Sequence, residues 1–105
     1  MDLIYTSLDR RPGSFPEYPG ESAEITAVLW AHATEPDRLA HVSARSEYDR
    51  VDLLFFLQTV DDAAGVLHGS EKQVWFHLNR SYEASPLLQR RFLPPVPSAG
   101  MQIIR

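Results

Sequence analysis

The sequence contains no cysteine, and only one of its ten basic residues, Lys72, is a lysine. A chain without cysteine forms no disulfide, no cysteine-ligated zinc site and no iron–sulfur cluster, and it has no thiol nucleophile. The formal net charge is −4. Nucleic-acid backbones are bound by basic patches, so this charge predicts no nucleic-acid partner. The preference for arginine over lysine is typical of a GC-rich bacterial genome.

Long hydrophobic runs are also absent. No unbroken apolar run is longer than the five residues of Leu53–Leu57, whereas a membrane-spanning helix needs about 20. The N-terminus begins Met1-Asp2-Leu3, with an acid at once and no basic region ahead of an apolar stretch, which predicts no secretory signal. These features predict a cytoplasmic protein without a membrane partner.

The familiar motifs of catalysis and phosphate binding are missing as well. The sequence has no Gly-x-Ser-x-Gly elbow and neither of the common glycine-rich phosphate loops. Its four histidines do not have the spacing of a helical metal site, and the pair Asp61-Asp62 stands where a helix begins, which is a capping position. We therefore predict no metal, no cofactor and no catalytic residue, and the sequence favours a non-enzymatic role.

The chain of 105 residues has the length of one domain, and we predict a single domain over residues 1–105. Two segments rich in proline and glycine, 11–21 and 93–100, are predicted loops because proline removes backbone donors and fixes φ.

Three segments between these loops alternate between apolar and polar residues with the period of a strand. They are residues 24–33, 39–47 and 51–58, and we predict that they form a three-stranded antiparallel meander. Leu3–Leu8 and Met101–Ile104 are candidate edge strands. In an alternative interpretation of the middle segment, a helix begins at Thr34.

The apolar spacing changes to a helical period from Asp61 onward. Gly69 interrupts it, and Ser70 with Gln73 matches a capping box that opens a second helix. A strand over Gln73–Arg80 is the alternative. Ser85-Pro86 then predicts the N-cap and first residue of a short helix. The fold class is therefore α+β, a small antiparallel sheet packed against C-terminal helices.

The predicted meander has apolar residues on both faces. One face is covered by the helices, but the other also carries large apolar side chains, where an antiparallel sheet open to water should be polar. The candidate interface residues on this second face are Val28, Trp30, Leu54 and Phe56. Either the terminal segments of the chain cover them, or a second copy or another protein does.

These observations predict a small interaction or regulatory module that forms a homodimer or binds a partner protein through the second sheet face. The alternative is a small-molecule-binding protein or enzyme with a pocket between sheet and helices. The candidate ligand-binding residues of that pocket are His41, Arg45, Trp75 and His77.

Overall fold

The computed structural model describes residues 1–14, 19–58, 70–96 and 101–104. Four strands and three helices follow one another along these segments. They are β1 (Asp2–Asp9), α1 (Glu21–Ala31), β2 (Leu39–Ser46), β3 (Arg50–Leu57), α2 (Ser70–Ala84), α3 (Pro86–Arg91) and β4 (Gln102–Ile104), with one 3-10 turn at Glu35–Asp37 ahead of β2.

The strands form one antiparallel sheet in the order β2-β3-β1-β4. β1 pairs with β3 along its whole length, from Asp2↔Leu57 to Asp9↔Arg50. On its other side β1 pairs with β4. The α+β class and the small antiparallel sheet are thus confirmed, and the order of elements is the split β-α-β arrangement. The N-terminal strand is central, however, and not at the edge as predicted.

The predicted strand over 24–33 is wrong, because residues 24–31 lie in the helix α1, which ends at Ala31. Ile25 and Leu29 are both fully buried, and a spacing of four residues fits one helix face as well as it fits one strand face. The alanines of this helix, Ala23, Ala27 and Ala31, are of the residue type with the highest helix propensity. Glu21 and Glu24 stand in the first turn, where acids stabilise a helix.

The other two members of the predicted meander are strands. β2 and β3 form a hairpin whose turn is closed by the Glu47 amide, which donates to the Arg50 carbonyl at 2.8 Å. The alternative helix from Thr34 extends only to the single 3-10 turn at Glu35–Asp37 before β2 begins.

The second half of the chain contains the predicted C-terminal helices. α2 begins at Ser70, so the alternative strand over Gln73–Arg80 is wrong. The Ser70 hydroxyl donates to Asp2 of β1 at 2.8 Å. Ser85 caps α3 as predicted, accepting from the Leu88 amide at 3.2 Å, and Pro86 is the first helical residue. The helix predicted from Asp61 lies outside the described residues, as do parts of both predicted loops.

The core lies between the sheet and the helices. Alternate residues of β1 and β3, such as Ile4 and Phe55, are fully buried against Leu29 of α1, Leu78 of α2 and Leu88 of α3. Since the buried residues of all three helices belong to this one cluster, the described helices all pack on the same face of the sheet, which we call the helix face.

A buried ion cluster closes one end of this layer. The Glu21 carboxylate at the start of α1 accepts two hydrogen bonds from the Arg10 guanidinium, one from Arg91 at 2.8 Å and one from the Ser46 hydroxyl at 2.7 Å. The Arg10 guanidinium also lies 5.1 Å from the centre of the Phe92 ring. The cluster thereby joins the end of β1, α1, the end of β2 and α3.

Candidate functional site: the open face of the sheet

The second face of the sheet carries the side chains that alternate with the buried ones. In β1 and β3 every second residue is buried on the helix face, and the residues between them are partly exposed. None of the described helices packs on this second face, which we call the open face. Its strand positions are Leu3, Tyr5, Ser7, Asp9, His41, Ser43, Arg45, Arg50, Asp52, Leu54, Phe56, Gln102 and Ile104.

One end of the open face is apolar. Phe56 of β3 lies between Leu3 of β1 and His41 of β2 in the strand register. The His41 and Phe56 rings are tilted, with their centres 5.3 Å apart. Ile104 of β4 pairs with Leu3 and is 43% exposed. Leu3, Leu54, Phe56 and Ile104 form an apolar surface across β3, β1 and β4, and the His41 ring extends it onto β2.

The other end of the open face is polar and tightly hydrogen-bonded. Asp52 accepts from the Tyr5 hydroxyl at 2.7 Å and from the Arg50 Nε at 2.8 Å. Burial raises the pKa of Asp52, but these two hydrogen bonds outweigh it and the pKa is lowered. The hydrogen bond to Asp52 raises the pKa of Tyr5. Arg45, whose side chain is 81% exposed, forms an ion pair with Glu47 at 2.7 Å.

The charges of the open face cancel. Its described strand positions carry two acids, Asp9 and Asp52, and two arginines, Arg45 and Arg50, whereas the whole chain has a formal net charge of −4. The excess negative charge of the protein therefore lies elsewhere. Two open faces can approach each other without net electrostatic repulsion between them.

The four predicted interface residues do not lie together. Leu54 and Phe56 are on the open face, as the alternation of β3 predicted. Val28 and Trp30 are on α1 in the helix layer, because their segment is a helix. Val28 packs against the core and Trp30 is 44% exposed on the outer side. Leu3, Tyr5 and Ile104 of the open face were not predicted, because apolar residues stand at both odd and even positions of Leu3–Leu8 and its pattern does not separate two faces.

The four predicted ligand-binding residues are also divided between two sides. His41 and Arg45 lie on the open face of β2. Trp75 and His77 lie on α2, where His77 is buried against Phe55. The sheet separates the two pairs, so they cannot line one pocket as predicted.

His77 has a structural position within the core. Its Nε2 donates to the Leu29 carbonyl of α1 at 2.6 Å, which joins α2 to α1. Burial lowers the pKa of His77, more than the hydrogen bond to Leu29 and the nearby charge of Asp37 raise it. The ring therefore takes up a proton less readily than an exposed histidine, which suits its packed position in the core.

A shallow cleft of about 440 Å³ lies elsewhere, between α2 and the 3-10 turn. It is lined by residues that include Phe76, Pro36 and the ion pair of Arg80 with Asp37, whose atoms are 2.9 Å apart. None of the predicted ligand-binding residues lines this cleft.

Within the described parts of the chain, no three histidine, aspartate or glutamate side chains are grouped so that they could hold a metal ion. Nor does any helix in residues 1–14, 19–58, 70–96 or 101–104 have the length and apolar character needed to cross a membrane.

Comparison with known protein families, curated proteins and solved structures found no relative of this chain.

Proposed function

We propose that this protein is a small cytoplasmic, non-enzymatic interaction module that self-associates through its open face. The observation that supports this proposal is the apolar end of that face, with Leu54 and Phe56 at its centre, on the side of the sheet opposite the described helices. Sheets that face water alternate apolar and polar positions. A continuous apolar surface on a folded domain marks an interaction site.

The size of the face suits a second copy of the chain. With strands about 4.8 Å apart and about 3.3 Å per residue, three strands of eight residues and the short β4 give about 400 Å² of flat sheet. Two such faces with their protruding side chains bury on the order of 1,000 Å², the lower limit of specific interfaces. We therefore expect a dimer of moderate affinity whose population depends on protein concentration.

The charge of the face supports the same partner. A strongly acidic or basic partner would find no complementary field on a face whose strand positions carry two acids and two arginines, whereas an identical face has the same balance. The aromatic ring of Phe56 at the centre is the kind of residue that carries most of the binding energy in an interface.

The test is the solution mass over a concentration series, measured by light scattering on three chains. They are the wild type, a sheet-face variant with Leu54→Ser and Phe56→Ser, and a matched helix-layer variant with Trp30→Ser and Phe76→Ser. The control removes two exposed apolar side chains of at least equal size, since Trp30 is 44% and Phe76 54% exposed.

We expect the wild type and the helix-layer variant to approach twice 11.9 kDa as the concentration rises, while the sheet-face variant stays at 11.9 kDa. Circular dichroism confirms that the variants remain folded. A wild-type mass of 11.9 kDa at every concentration would refute self-association. If only the helix-layer variant lost the dimer, the contact would lie on the helix layer and not on the open face, which would refute the proposal.

A further inference from the structure

The open face is graded along its strands. The pairing of β1 with β3 places its central residues in four levels, each with one residue from either strand. From one end to the other the levels are Leu3/Phe56, Tyr5/Leu54, Ser7/Asp52 and Asp9/Arg50. The first level is apolar, the second is aromatic and aliphatic, the third is polar, and the fourth is an acid beside a base.

Two sheets that pack face to face keep their strands roughly aligned, and a symmetric dimer relates its copies by a two-fold axis. If the axis runs along the strands, each level faces the same level of the other copy, with β3 above the partner's β1. If the axis runs across the strands, the first level of one copy faces the fourth level of the other.

The chemistry of the levels distinguishes the two arrangements. With the axis along the strands, Phe56 meets the Leu3 of the second copy, and Arg50 meets its Asp9. With the axis across the strands, Arg50 of one copy contacts Phe56 of the other, and Asp9 of one copy contacts Leu3 of the other. Taking charged side chains out of water against an apolar surface is costly even when they are paired within one copy, because that surface offers them no hydrogen-bonding partner.

We infer that the two copies dock with the two-fold axis along the central strands, so that like levels face each other and Arg50 of each copy pairs with the Asp9 of the other. This inference rests on the proposed self-association and adds its geometry. Asp9 is exposed at the end of β1, and the Arg50 side chain is 40% exposed despite its bonds to Asp49 and Asp52. Both are therefore accessible to a second copy.

A chain without cysteine allows a direct test by single-cysteine crosslinking. If like levels face each other, the Asp9 Cα atoms of the two copies are separated by one strand spacing within the sheet plane, about 4.8 Å, and by one sheet spacing perpendicular to it, about 10 Å. The distance between the two Cα atoms is then about 11 Å. If the axis runs across the strands, the two Asp9 Cα atoms are three levels apart along the strand direction, about 20 Å, in addition to the sheet spacing. The distance between them is then about 22 Å. A bismaleimide that spans about 10 Å, the spacing of packed sheets, can crosslink the two cysteines only in the arrangement with the axis along the strands.

We expect Asp9→Cys to give a covalent dimer band, and Glu83→Cys, exposed on α2, to give none. A mixture of Asp9→Cys with an epitope-tagged Leu3→Cys should yield no crosslinked heterodimer. Heterodimers in the mixture, with no band from Asp9→Cys alone, would overturn the inference and leave self-association intact. Failure of the proposed function appears separately, as a wild-type mass that stays at 11.9 kDa.

Discussion

The buried ion cluster makes a sharp prediction about stability. Glu21 is 1% exposed, and its carboxylate is the shared acceptor for two arginines and Ser46. Glu21→Gln keeps the shape of the side chain and removes its charge. It leaves Arg10, whose side chain is 2% exposed, without its counter-charge.

The magnitude follows from two independent arguments. Breaking a buried ion pair by removing one partner costs about 3–5 kcal/mol. Burial raises the pKa of Glu21, but the hydrogen bonds from Arg10, Ser46 and Arg91 outweigh it and lower the pKa from an ordinary 4.5 to about 2. A difference of that size corresponds to about 3 kcal/mol of stability. The two values agree.

The expected change in melting temperature is large. An unfolding entropy of about 2.1 cal/mol/K per residue gives about 0.2 kcal/mol/K for this chain. Glu21→Gln should therefore lower Tm by about 15–25 °C at neutral pH, measured by thermal circular dichroism. The matched control is Glu24→Gln, an exposed glutamate in the first turn of the same helix, which should cost less than about 1 kcal/mol.

The pH dependence provides the second measurement. Because the folded pKa of Glu21 is lowered, its contribution is complete above pH 4.5 and is lost as pH falls from there toward 2. The wild type should therefore lose more stability than Glu21→Gln over this range. A folded Glu21→Gln protein with a Tm within about 4 °C of wild type, a loss of about 1 kcal/mol, would refute the assigned role of the cluster.

Two further predictions concern the helix layer. Asp37 accepts from the Thr34 amide at 2.7 Å and from Arg80 at 2.9 Å, so Asp37→Asn should cost about 1–3 kcal/mol in urea unfolding, and a loss near zero would contradict its role. Burial lowers the pKa of His77 below its ordinary 6.5 in the folded protein, so the unfolded chain binds the proton more readily and stability should fall as pH drops below 6.5. An NMR titration of the His77 ring with a midpoint at 6.5 would contradict this.

Local sequence signals predicted those elements whose evidence is local. Ser85 and Pro86 identify the start of α3 because a cap and a first-turn proline act within four residues. The alternation in β3 identifies its two faces for the same reason. α1 was missed because Ile25 and Leu29 satisfy both the helical and the strand period, and only the alanines and the first-turn acids distinguish them.

The long-range features could not be predicted in this way. The central position of β1 depends on pairing with a strand about 50 residues away in the chain, which no local pattern specifies. Glu21 and Arg91 are 70 residues apart, so their ion pair is invisible until the fold brings them together. The alternation of β3 predicts that Leu54 and Phe56 share one face, but their neighbours on that face, Leu3 and Ile104, come from other strands.

The arrangement of residues on the open face is itself an argument for a specific contact. Apolar side chains that a surface merely tolerates are scattered singly among polar ones. Here the large apolar residues occupy two adjacent levels, with Phe56 and Leu54 on β3, and the charged ones occupy the opposite end, with Arg50 and Asp9. Exposure to water gives no reason for this separation, and a contact that set unlike levels against each other would place charges on apolar side chains. A second copy aligned level with level satisfies both ends at once, because apolar residues then meet apolar residues and each Arg50 meets an Asp9.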